Sequence, residues 1–104
     1  LEEAVKSALA IQCLPLSAAD KQEAYRLVDG AIHVIESSGL PFTVGPFETV
    51  VEGDAEALFE LAKKAHMALI HDGSPRVATY MKVFSGPDLG STEEKVGKYR
   101  ERGH

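Results

Sequence analysis

The chain has 104 residues, 44% hydrophobic and 26% charged, proportions that fit one globular domain over residues 1–104 and exclude disordered, collagen-like and low-complexity classes. Sixteen acidic against eleven basic side chains give a formal net charge of −5, which disfavours nucleic acid and anionic membrane surfaces as partners. Cys13 is the one cysteine, so neither an intrachain disulfide nor a thiolate metal cluster can form.

No apolar run approaches the ~20 residues of a bilayer span, and the acidic start LEEAVK lacks a basic region followed by a long apolar stretch. The expectation is a soluble, cytoplasmic protein. Residues 7–16, SALAIQCLPL, are almost uncharged and end at Pro15, which predicts a first strand. From Asp20 to Ser38 the apolar positions Ala24, Leu27, Val28, Ala31, Ile32 and Ile35 recur at three- and four-residue steps, so a helix gathers them on one face. Ser17 and Asp20 both qualify as its cap, and Gly39 suits its end. Gly30, inside it, predicts a close helix–sheet contact.

Residues 42–45 (FTVG) and 48–52 (ETVVE) are rich in strand formers and flank Pro46-Phe47, which predicts a hairpin. Asp54 stands at the cap of a second helix whose stripe is Ala55, Leu58, Ala62, Ala65 and Leu69, stopped by Gly73 and Pro75. Residues 76–83, RVATYMKV, alternate as a last strand. Ser85 to Gly90 is turn-rich, and Ser91 with Glu94 predicts a short C-terminal helix. The order β-α-β-β-α-β makes an α+β, ferredoxin-like fold: a four-stranded antiparallel sheet with two helices on one face.

Such a sheet has one uncovered face. Alternation separates Leu9, Ile11 and Cys13 from Ala8, Ala10 and Gln12 in the first strand, and Val77, Thr79, Met81 and Val83 from Ala78, Tyr80 and Lys82 in the last. The bulkier apolar sets belong against the helices; Thr43 joins the other side. The third strand is ambiguous, with Thr49 and Val51 opposing Glu48, Val50 and Glu52. An open face carrying Ala8, Ala10, Ala78 and Tyr80 is apolar yet has room above its alanines, which predicts packing against a second sheet in a homo-oligomer, with a ligand pocket at or beside the contact.

Catalytic and metal motifs are sparse. His33, His66, His71 and His104 lack ligand spacing and read as surface or boundary residues, so no metal is expected. Cys13 lies among Leu9, Ile11 and Leu14, a core setting rather than a nucleophile's. No phosphate-cradling glycine loop occurs, and Tyr80 is nearly alone among aromatics on the open face, unlike RNA-binding sheets. Glu48 and Glu52 read as solvated carboxylates without a nucleophile beside them.

The segments LPL (14–16), PFETVVEG (46–53), AKKAH (62–66), RVAT (76–79) and the lysine of MKV (81–83) resemble, in order and spacing, the thiamine-binding, YkoF-like family of small ferredoxin-like proteins. Thr49 to Gly53 before Asp54 is the most specific piece. The resemblance implies intracellular dimers or tetramers that bind thiamine or its hydroxymethylpyrimidine half without chemistry and without a cofactor. Ala10, acidic in many members, and Phe84-Ser85-Gly86, in place of an acidic run containing arginine, are departures from the pattern.

Thiamine presents a cationic thiazolium and an aminopyrimidine edge, which call for a carboxylate or π-face and for amide or hydroxyl groups. Gln12, Thr43, Thr49, Glu52, Tyr80 and Lys82 offer those groups and are the expected ligand-binding residues, Lys82 being the awkward one beside a cation. Two alternatives stand beside this reading: a small-molecule enzyme of the dimeric ferredoxin-like type, and a regulatory module whose open sheet binds only protein.

Overall fold

The computed structural model describes residues 5–87. Its elements are β1 (Lys6–Leu16), α1 (Lys21–Ser37), β2 (Phe42–Val44), β3 (Thr49–Asp54), α2 (Ala55–His71) and β4 (Arg76–Ser85). The strands form an antiparallel sheet in the order β2-β3-β1-β4, the α+β ferredoxin-like arrangement expected from the element order. The C-terminal helix expected after Gly90 lies outside the described residues.

β1 is central, pairing with β3 from Lys6 to Ile11 and with β4 from Ser7 to Leu16. Pro15 does not end the strand: it stands opposite Val77, beyond the last β3 pair. There β1 has a neighbour on one side only, a setting in which proline's missing N–H is tolerated. β4 likewise runs past residue 83 to Ser85, because Ser7 and Ser85 stand in register and their hydroxyls lie 2.6 Å apart. Ser7 is 1% exposed, and its hydroxyl also donates to the Val5 carbonyl, so this buried polar group is satisfied.

Both helices cover one face of the sheet. Leu9 and Ile11 of β1 and Val51 of β3 meet Leu27, Ala31 and Ile35 of α1 and Leu58, Leu61, Ala62, Ala65 and Leu69 of α2 in one buried cluster. The two helical stripes are the three- and four-residue patterns of the sequence; burial of each large aliphatic side chain stabilises the fold by about 1.5–3 kcal/mol relative to exposure.

Asp20, rather than Ser17, caps α1, its side chain accepting the Glu23 N–H at 2.8 Å. Asp54 makes no side-chain cap on α2; it accepts the Val5 N–H at 2.7 Å, while the Ala55 N–H donates to the Val5 carbonyl. This reciprocal pair ties the start of α2 to the start of β1. At the far end of α2, Gly73 has φ +105°, with its N–H on the Ile70 carbonyl and that of Ser74 on the Leu69 carbonyl, a geometry that glycine enters without a Cβ clash. Gly30 serves a contact different from the one expected. A Cβ there would meet Asp72 Oδ2 at 2.7 Å, so the close approach is between α1 and the end of α2 rather than between helix and sheet. Arg26 reinforces the junction, donating to the Asp72 carbonyl at 2.9 Å and pairing with Glu23.

Candidate functional site

The register resolves the ambiguous third strand. Thr49 and Val51 are buried toward the helices, which leaves Val50 and Glu52 on the open face. Pairing then lays out that face in rows. The central row is Thr43, Val50, Ala10 and Lys82, one residue from each strand. One row on, Gln12 stands opposite Tyr80, with Glu48 just before β3; on the other side Glu52, Ala8 and Phe84 align. Leu14 and Ala78 continue the face toward the end of β1.

The structure therefore brings Gln12, Thr43, Glu52, Tyr80 and Lys82 to one surface around an alanine floor. Thr49 is the exception. It stands opposite Ile11, is 7% exposed, and turns to the helix side because Val44, its β2 partner, and Val51 share that apolar face. The period of two makes this unavoidable once Val51 enters the core.

Tyr80 is 61% exposed and Phe84 65%, so two aromatic faces border the floor. Lys82 Nζ lies 3.4 Å from Glu48 Oε1, an ion pair between exposed ends of side chains. The surface thus holds an amide, a hydroxyl, carboxylates, an ammonium and π-faces, a set that can hydrogen-bond a heterocycle edge and screen a positive charge. Glu48, read from sequence as a solvated carboxylate, enters the site through Lys82; its place at the strand end, one step from the Gln12–Tyr80 row, was the available signal.

A concavity lies on the helix side. Cys13, Val28, Ile32, Val44, Phe47 and Thr49 line a cleft of about 210 Å³ beneath the β2–β3 turn. α1 and the β2–β3 hairpin border it together, a placement that no local pattern encodes. Cys13 is half-buried there, and burial pushes its thiol above the ordinary range despite the Thr79 hydroxyl, which donates to Sγ at 3.6 Å. His66 Nδ1 lies 2.6 Å from Thr79 Oγ1, so the threonine hydroxyl bridges the imidazole and the thiol. A thiol held neutral is a poor nucleophile, in keeping with the core reading of Cys13. His33 is exposed beside Glu36 at 3.9 Å, and among the described residues no cluster of three His, Cys, Asp or Glu side chains is placed to hold a metal ion. No helix of the described residues is long and apolar enough to cross a membrane.

Comparison with known proteins adds to this geometry. The model of the thiamine-binding protein family matches residues 9–100. A UPF0045 protein of Clostridium perfringens is 38% identical over 92 residues, spanning 88% of this chain and 95% of its own length. Among solved structures, a domain of unknown function (DUF77) from Bacillus cereus superposes with a TM-score of 0.82 at 31% identity, covering 95% of this chain and 94% of that one. A Thermotoga maritima protein with a proposed role in thiamine biosynthesis or salvage gives 0.79 at 28% identity, with 91% and 99% covered. Match and relatives span the sheet and both helices, and the chain belongs to the thiamine-binding protein family.

Proposed function

We propose that this protein is a noncatalytic, cytoplasmic binder of thiamine or a related hydroxymethylpyrimidine compound, acting as a homo-oligomer through its open sheet face. Membership of the family motivates the ligand class. The observation that carries the location is the convergence of Gln12, Thr43, Glu52, Tyr80 and Lys82 on one side of the sheet, around Ala8 and Ala10. Gln12 and Thr43 supply the donors and acceptors for the pyrimidine edge, and the Tyr80 ring and the carboxylates receive the thiazolium. A second sheet laid over this face would exclude water from those contacts and bury Tyr80 and Phe84.

The helix-side cleft is the rival location, favoured by Thr49, the expected ligand-binding residue that the register turns to that side; Gln12 also borders it. Its volume of about 210 Å³ falls below the roughly 300–1,000 Å³ of typical ligand pockets, and the polar groups a pyrimidine needs are fewer there. Titration calorimetry with thiamine on wild type, Tyr80→Ala and Thr49→Val separates the two. Binding lost in Tyr80→Ala and kept in Thr49→Val supports the open face; the reverse pattern moves the site to the cleft.

A further inference from the structure

We infer that the Lys82–Glu48 ion pair is a built-in competitor for the ligand's positive charge, so that the open face takes a free organic monocation in preference to its phosphate esters. This rests on the ligand reading above and adds how that site discriminates.

The geometry of the pair is unusual for a sheet. β3 and β4 are not neighbours, because β1 runs between them, yet Lys82 Nζ reaches to 3.4 Å from Glu48 Oε1. With strands about 4.8 Å apart, the bridge crosses two interstrand spacings. It does so over β1 where Ala10 stands opposite Lys82 and Gln12 is the next residue on the face. A methyl at position 10 leaves room for the lysine stem to lie across the strand. The pair therefore occupies the part of the floor beside Glu48, and a cationic group seated there must displace it.

Displacement is easy, since the lysine side chain is 78% exposed and that of Glu48 38%, and exposed pairs of this kind are weak. A thiazolium or similar cation takes the ammonium's place at Glu48 while Lys82 swings into solvent. The formal charges decide which ligands gain. Glu48, Glu52 and Lys82 together leave the central rows at −1, and the flanking row of Lys6 opposite Asp54 adds one charge of each sign. A monocation neutralises the face. A phosphate ester brings its negative charge up to two carboxylates with Lys82 as the near cation, because Arg76, also on this face, lies about 20 Å along β4.

The test is calorimetric titration of the full chain with thiamine, thiamine monophosphate and hydroxymethylpyrimidine, comparing wild type, Lys82→Met, Glu48→Gln and the double variant. Removing the competitor tightens thiamine about two- to five-fold, the range that a weak exposed pair supports. It weakens the monophosphate and leaves the neutral pyrimidine unchanged. Glu48→Gln weakens thiamine and abolishes the effect of Lys82→Met. Thiamine binding that is unchanged or weaker in Lys82→Met, or an equal shift for all three ligands, overturns the competitor role while leaving the ligand reading intact. Absence of saturable binding of any of the three by wild type overturns both.

Discussion

Gly30→Ala is a substitution whose sign depends on two opposing magnitudes. Alanine in a helix interior is favoured over glycine by about 0.5–1 kcal/mol, through helix propensity and a less flexible unfolded chain. Against this, the new Cβ would stand 2.7 Å from Asp72 Oδ2, so the carboxylate must move. Three facts make that movement inexpensive. Asp72 is exposed; it sits at the C-terminal end of α2, where a negative charge opposes the helix dipole; and Arg26 holds its backbone carbonyl rather than its carboxylate. The expected outcome is a net gain of about 0.5 kcal/mol, seen as a higher urea midpoint at unchanged m-value and a Tm raised by roughly 2–4 °C. In an Asp72→Ala background the gain from the same change rises to about 1 kcal/mol. A loss exceeding ~1 kcal/mol in the single variant would refute the reasoning, since it would mean that the α1–α2 junction does not yield at Asp72.

Other outcomes follow from the same structure. Leu58, fully buried between α2 and the sheet, loses about 2–5 kcal/mol of stability on truncation to alanine, measurable by urea denaturation; a cost below ~1 kcal/mol would contradict its place in the core. Cys13 reacts with iodoacetamide at pH 8 at least ~10-fold more slowly in the native protein than in urea, because burial keeps the thiol protonated. Its folded pKa is raised, so the unfolded chain releases the proton first and the stability contribution, full below about pH 8.5, is lost as pH rises through the folded value. Wild type therefore loses more stability than Cys13→Ala between pH 8 and pH 10, and equal losses in the two proteins count against this assignment.

Much of the architecture is legible in the residues because each element carries its own period and punctuation. The stripes ending in Ile35 and Leu69 name the buried helix faces, and Gly39 and Gly73 name their ends. The departures are tertiary. Pro15 looks like a strand end until β3 is found to stop short of it, and Asp54 looks like a helix cap until Val5 claims its carboxylate. Gly30 signals a close approach without saying to what. In the site, Gln12, Tyr80 and Lys82 follow from alternation in two long strands, whereas in the third strand either set of alternating side chains is chemically plausible. Only the burial of Val51 turns Glu52 outward and Thr49 inward. Glu48 joins the site through a contact across β1, which no spacing in the chain encodes.

Titration of wild type and Gln12→Ala with thiamine tests most directly whether this sheet face binds the ligand of its family. Saturable binding by wild type that Gln12→Ala weakens by at least ~10-fold, with both proteins equally folded, is the predicted result, since one unpaired hydrogen bond to a heterocycle is worth about that much. Equal affinity in the two proteins, or no saturable binding by wild type at millimolar thiamine, would contradict it.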